Sequence, residues 1–384
     1  MSGTAIDPGT KPRFELRTYQ TLENEELRAR VQAVRDRMGA ELLILGHHYQ
    51  QDEVIALSDL RGDSYRLSEL AAADERCRAI VFCGVHFMAE TADILANRPA
   101  RLERRGFRVP VILPDLSAGC SLADMADIDQ VEECWAELAE TIDIGELTPI
   151  TYVNSAASLK AFCGRHGGIV CTSANADAAL RWASARGEKV LFFPDQHLGR
   201  NTALKMGVPL EQMQVWDPLE PDWGGADPDA LTRAKIILWK GHCSVHQMFL
   251  PEHVDYFRRE YPGIKILVHP ECMMEVVAKA DEVGSTGRII RLVNEAAPGT
   301  RWAIGTELHL VNRLKKEHPE QEIYFLSPVV CMCSTMYRID LPHLCWALEN
   351  LAAGTPVNVI RVDEATAADA LTALERMLEL PGGG

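Results

Sequence analysis

Short apolar runs such as LLILG, PITYV, KIILW and IKILV recur along the chain, each closing on glycine, histidine, asparagine or another polar turn former. Between them lie stretches whose apolar residues return at helical spacing, for example residues 130–140, 177–185 and 365–380. Runs of strand length alternating with amphipathic helices predict parallel sheets buried on both faces by helices, so the fold class is α/β.

Aligned by the polar residues at their ends, the predicted strands repeat about every 110 residues, the size of one small domain. The first strand of each repeat leads into a polar cluster: His47 and Tyr49, then Tyr152 and Asn154, then His269 and Glu271. The second leads to a small hydroxyl, at Ser64, Ser173 and Thr286. The third leads to His86, His197 and His309, at steps of 111 and 112 residues. The fourth (VPVILPD, KIILWKG, EIYFLSPVV) delivers Cys120, Cys243 and Cys333, less evenly, because WDPLEPDWGGADPDALTR reads as a long loop before the second of them.

Doubly wound sheets place a strand every ~25–35 residues in any case. A coincidence of register would align apolar runs, however, and here hydroxyls align with hydroxyls and thiols with thiols. The pattern predicts three homologous small parallel-sheet αβα domains with one shared cavity at the carboxyl ends of the strands. Their spans are 23–127, 128–247 and 248–340, with helices of 341–380 packing back on the first domain and 1–22 as an N-terminal extension.

Composition narrows the class of function. Lys plus Arg total 39 against 55 acidic residues, a formal charge of −16, a field that repels nucleic acid. No apolar run is long enough to span a bilayer and the start has no signal-peptide pattern, so no membrane partner and a cytoplasmic location are expected. Eleven cysteines in such a chain point to buried thiols and a metal or catalytic set rather than disulfides.

Cys120, Cys243 and Cys333 are dispersed, without a CxxC run, and could supply three thiolates to one iron–sulfur cluster with an uncapped, Lewis-acidic iron. Cys331-Met-Cys333 offers two candidates for the third position. Ser64, Ser173 and Thr286 fit helix N-caps or, taken together, donors to an anion. Imidazole beside phenol at His47 and Tyr49 suits a carboxylate or phosphate, and Glu271 beside His269 is a candidate proton acceptor. P-loop, HExxH, GxSxG and GxGxxG motifs are all missing. Two other classes remain: an Fe–S sensor or electron carrier, and a zinc-dependent hydrolase using histidines such as His86, His197 and His309 with one cysteine.

With GHHYQQDEV, GDS, CGVHFMAETADIL, PDLSAGCSLADM, TYVNS, CTSANA, FFPDQHLGRN, GHCSVH, HPECMMEV, GSTGRI, GTELHL and CSTMYRI in order, the chain resembles the quinolinate synthases, iron–sulfur enzymes of NAD biosynthesis. The resemblance runs from about Glu25 to about Leu351. It implies three domains around a pseudo-threefold axis with a central [4Fe–4S] cluster, held by Cys120, Cys243 and Cys333 and leaving one iron open. It implies condensation of iminoaspartate with dihydroxyacetone phosphate to quinolinate, phosphate and two waters, and a functional link to an aspartate oxidase or dehydrogenase. His47, Ser64, Asn154, Ser173, His269 and Thr286 then resemble substrate-binding residues, and Glu271, Tyr49 and Tyr152 catalytic ones.

Overall fold

A computed structural model describes residues 11–329 and 332–380, without the side chains of residues 64, 65, 68, 71 and 72. Cys331 therefore lies outside the described residues.

Among the described residues, fourteen strands build three separate sheets. In the first, β1 (Leu42–His47), β2 (Leu60–Gly62), β3 (Ala79–Cys83) and β4 (Val111–Ile112) are parallel. The second contains β5 (Leu147–Tyr152), β6 (Ile169–Cys171), β7 (Lys189–Phe193), β8 (Met213–Trp216) and β9 (Ile236–Trp239). The third contains β10 (Lys265–Val268), β11 (Glu282–Val283), β12 (Arg301–Gly305) and β13 (Glu322–Phe325). A two-residue strand, β14 (Val359–Ile360), pairs antiparallel with β4.

The three sheets share one strand order. They read β2-β1-β3-β4, β6-β5-β7-β9 and β11-β10-β12-β13, so each places its second strand outside its first and its third beside its first. The first and third strands of every repeat are thus neighbours whose connections leave in opposite directions. Sheets of this kind bind ligands in the crevice at the carboxyl ends of such a strand pair. The extra strands β8 and β14 both attach at the fourth-strand edge, leaving this strand pair untouched.

Side-chain contacts repeat as well. Asp59 and Asp281 each accept the N–H of the first strand's third or second residue, Ile44 at 2.8 Å and Ile266 at 2.7 Å. Each is paired with an arginine, Arg35 and Arg258 respectively. Tyr49 N–H donates to His47 Nδ1 at 3.2 Å, and Glu271 N–H to His269 Nδ1 at 3.4 Å. The first and third repeats thus make the same bonds although they lie far apart in sequence.

The strands hold because they are buried. Leu42 to His47 are all buried, with Ile44 and Leu45 at 0 % exposure, and each such side chain contributes about 1.5–3 kcal/mol relative to exposure. Under the third sheet, Phe249, Val254, Phe257, Ile264, Ile266, Val268, Val276 and Leu326 form the equivalent core.

By compactness the chain divides into two units, Met1–Cys120 with Cys333–Ala368, and Ser121–Met332 with Asp369–Gly384. In the first, the helix Leu341–Ala352 packs on the helix Asn24–Met38. Its Asn350 accepts from the N–H groups of Arg13 and Phe14 at 2.8 and 3.0 Å, fastening the segment before the first repeat. The second unit contains both remaining sheets. Whereas the sequence assigns all of 341–380 to the first domain, the last helix, Glu364–Leu378, belongs to the second unit from Asp369 onward. Arg376 Nη1 donates to the Gly168 carbonyl at 2.6 Å, and a Cβ on Gly164 would lie 1.9 Å from the Asp369 carbonyl oxygen, so the helix needs a glycine there to pass. The segment read as a long loop before Cys243 ends in a short helix, Pro228–Arg233, started by the Asp227 side chain and a proline at its first turn. No helix among the described residues is long and apolar enough to cross a membrane.

Candidate active site

Within the second unit, three strand ends converge on Glu271. This residue lies just past β10, in the turn His269-Pro270-Glu271, and is 2 % exposed. His246 Nδ1 lies 2.7 Å from Glu271 Oε2, and the Tyr152 hydroxyl, at the end of β5, donates to the same carboxylate. The His269 ring stacks on His246, with centroids 4.4 Å apart and planes 18° from parallel. His246 Nε2 faces Thr306 Oγ1, just past β12, at 3.3 Å.

Cys243 and His246 come from one turn. Cys243 is the residue before the short helix Ser244–Gln247 and His246 lies three residues on, so both side chains meet the same space. Cys243 Sγ, a His246 ring nitrogen and a Glu271 oxygen lie within 4.8 Å of one another. The approach of this turn depends on Gly241, where a Cβ would stand 2.2 Å from the Pro194 carbonyl oxygen.

Electrostatics splits two neighbouring carboxyls. Burial works against ionised Glu271, but the imidazoles of His269 and His246 and the hydrogen bonds from His246 and Tyr152 hold its carboxyl down, to about 2. Burial also lowers His269, to about 3, so this ring is neutral at pH 7, and its Nδ1 accepts the Glu271 N–H. An ionised carboxylate only accepts, so the proton of the 2.7 Å bond sits on His246 Nδ1. Asp195, just past β7 and fully buried, is pushed well above the carboxylate range, first by burial and then by the Glu271 charge. The two carboxyls are pushed in opposite directions, the kind of division that proton-transfer sites use.

The first unit places the other predicted residues at equivalent strand ends. His47 closes β1, buried, with the Tyr49 ring edge-on at 4.8 Å. Gln51 Nε2 in the same loop donates to the carbonyls of Tyr337 and Ile339 at 2.9 and 3.3 Å. Asp115, in the segment leading to Cys120, accepts from Arg338 Nε at 2.8 Å. The loop after β1, the segment before Cys120 and the segment after Cys333 are thus tied together. Ser64 opens the helix Ser64–Ala73; its side chain is not among those described.

In the second unit, Asn154 stands two residues beyond Tyr152, and Ser173 lies in the turn between β6 and the helix Ala176–Ser184. Ser173 is not the cap of that helix: Asn175 holds that position, its side chain turned back to Thr172 N–H at 2.6 Å. Nor is Thr286 a cap, because Ser285 accepts the Arg288 N–H and leaves Thr286 buried as the first helical residue. Two of the three predicted hydroxyls are therefore spared from capping their own helices.

The thiols separate by exposure. Of the described cysteines, Cys120, Cys243 and Cys333 are half-buried, while Cys77, Cys83, Cys134, Cys163, Cys171, Cys272 and Cys345 are buried. Burial raises the buried thiols, Cys77 to about 11 and Cys345 to about 12, which disfavours the thiolate that binds metal. Half-burial leaves the other three thiols without that full penalty. Among the described residues the metal-competent cluster is Cys243, His246 and Glu271, which includes none of His86, His197 and His309. His197 lies inside the helix Gln196–Lys205 with its Nδ1 3.5 Å from Arg200, a cationic neighbour that disfavours metal.

His246, Asp195 and Asn201 carry weight that the sequence reading did not assign. For His246 the signal was its position three residues after Cys243; for Asp195 it was a helix-capping residue directly after a third strand. Asn201 left none.

Acid should loosen this site early. Burial lowers His269 to about 3 and His197 to about 4, so below the ordinary histidine value the unfolded chain binds protons that the folded one refuses. Stability is then full above about pH 6.5 and falls as pH drops, by about 2 kcal/mol per histidine at pH 5. Urea midpoints at pH 7 and pH 5 check this; equal midpoints would contradict the buried, neutral rings.

A family model described as "Quinolinate synthetase A protein" matches residues 29–379. Curated relatives named quinolinate synthase include one from Rhodopirellula baltica, 68% identical over 364 residues, covering 94% of this chain and 93% of the relative. Another, from Geobacillus kaustophilus, is 55% identical over 94% of this chain and 95% of its own length. A third, from Acidobacterium capsulatum, is 54% identical over 95% of each. The repeated α/β architecture, the carboxylate–histidine–tyrosine cluster and these matches lead to one conclusion: the chain belongs to the quinolinate synthase family and is an enzyme.

Proposed function

We propose that the protein condenses iminoaspartate with dihydroxyacetone phosphate, forming quinolinate and releasing phosphate and two waters. The observation that carries the proposal is the buried, ionised Glu271, fed by His246 and Tyr152 and lying beside Cys243. Cys120, Cys243 and Cys333 would hold a [4Fe–4S] cluster, which supplies a Lewis-acidic iron for dehydration. The exposure of these three thiols against the buried others supports that assignment.

Glu271 is the proton carrier in this reading. Its carboxylate takes a proton from the substrate carbon that becomes nucleophilic and returns one to a leaving hydroxyl, while the His246 Nδ1–H bond keeps it oriented between steps. Tyr152 and Tyr49 present hydroxyls to the reacting region. Neutral His269, its Nδ1 taken by a backbone N–H, offers Nε2–H to a carboxylate or phosphate without an added charge. His47, with Nδ1 occupied in the same manner, does likewise. Ser64, Asn154, Ser173 and Thr286 supply further donors to the anionic groups of the two substrates. The iminoaspartate is hydrolytically labile, so an aspartate oxidase or dehydrogenase must generate it nearby.

The cluster of Cys243, His246 and Glu271 also matches the soft and imidazole donors that zinc accepts, which favours a mononuclear zinc site as the second reading. Metal and sulfide analysis of anaerobically purified protein separates the two. About four irons and four sulfides per chain are expected; one zinc without sulfide would overturn the cluster.

A further inference from the structure

Asn201 lies on the helix Gln196–Lys205 of the second sheet, 8 % exposed, and reaches into the turn after β10 of the third. Its Nδ2 donates to the Pro270 carbonyl at 2.9 Å and to the Cys272 carbonyl at 2.7 Å. Those two carbonyls belong to the residues immediately before and after Glu271.

We infer that Asn201 is a positioning residue for Glu271, clamping the peptide groups on either side of it so that the carboxylate meets His246 and Tyr152. The inference rests on the reading of Glu271 as proton carrier.

Three features of the turn make the clamp necessary. The last backbone bond from β10 to its neighbour β12 is the His269 N–H to the Gly305 carbonyl at 3.0 Å, so residues 270–272 make no backbone bond to a neighbouring strand among the described residues. Pro270 has no N–H, and the N–H groups of Glu271 and Cys272 are used inside the turn, on His269 Nδ1 and the His269 carbonyl. The carbonyls of Pro270 and Cys272 are left as buried acceptors facing the helix.

An amide nitrogen meets that need because it carries two N–H donors on one short side chain; serine has one and an ionised aspartate none. The two acceptors also fix which end of the side chain is nitrogen. Among the described residues Asn201 Oδ1 has no hydrogen-bond partner, so the bonds that tie this side chain to the turn are those of its donors. Asp195 caps the same helix and faces Glu271 electrostatically, which makes one helix responsible for both the charge and the placement of the base.

Asn201→Asp keeps the shape and loses at least one donor; Asn201→Ser, smaller and with one donor, serves if the aspartate variant fails to fold. Full-length, iron-loaded enzyme is assayed anaerobically for quinolinate. The expected result is a fall in kcat of about 10- to 100-fold, the effect of a base displaced by an ångström, with KM for dihydroxyacetone phosphate and iron content unchanged. On a Glu271→Gln background the Asn201 change should add nothing, since both act through one group. Parent kcat per iron-loaded chain with only a lower Tm would make Asn201 a stability residue and overturn the inference, as would a further full loss on the Glu271→Gln background. Glu271→Gln turning over at the parent rate would instead sink the underlying reading of the site, whatever Asn201 does.

Discussion

Glu271→Gln is expected to lower kcat by about 10²–10⁴-fold, the usual contribution of a positioned base, while leaving iron content at the parent level. Glutamine fills the same buried space, and its amide oxygen can still accept the His246 Nδ1–H bond that now reaches Glu271 Oε2 at 2.7 Å. The charge and the capacity to carry a proton disappear. The substitution also removes the second-largest influence raising Asp195, so that carboxyl should move back toward its ordinary range. Steady-state quinolinate formation under anaerobic conditions, normalised to iron, measures the effect. Turnover within a few-fold of the parent would assign the proton transfers to another group.

The second large effect is on the metal. Cys120→Ser, Cys243→Ser and Cys333→Ser should each abolish iron retention, because a hydroxyl does not ionise to replace a thiolate on iron. The Cys243 variant is a clean test of the fold, since this residue occupies the N-cap of Ser244–Gln247, where serine is a preferred cap. Loss of iron with an unchanged circular dichroism spectrum would then report the ligand and not unfolding. Cys163→Ala is the matching control: it deletes a fully buried thiol and should cost stability while keeping the iron. If Cys243→Ser retains a full iron complement, this thiol is not a ligand.

Much of the architecture could be read from the chain because it is repeated. A strand whose polar ending recurs three times at a near-constant step, as with His86, His197 and His309, gives its register away before any contact is known. The common strand order of the three sheets is the spatial counterpart of that repetition. Elements without a counterpart in the other repeats escaped. Strand β14 is two residues long and paired antiparallel at an edge, and β8 stands beside a Pro- and Gly-rich segment that masks it.

Local chemistry misled where two neighbours could do one job. Thr286 has the residue type of an N-cap, but Ser285 takes that role. The site shows the same division. Glu271 and His269 announce themselves as a pair two residues apart beyond a strand, whereas the groups that tune and hold Glu271 come from far along the chain. His246 is 25 residues upstream and Asn201 is about 70, and no spacing rule connects residues whose only relation is a shared buried turn.

The most direct test is to supply the iron-loaded protein, without oxygen, with dihydroxyacetone phosphate and iminoaspartate generated in the cuvette, and to monitor quinolinate and phosphate together. Both should appear in equal amounts, and neither should appear when iron is removed. A preparation carrying its full iron and sulfide that releases no quinolinate would contradict the account.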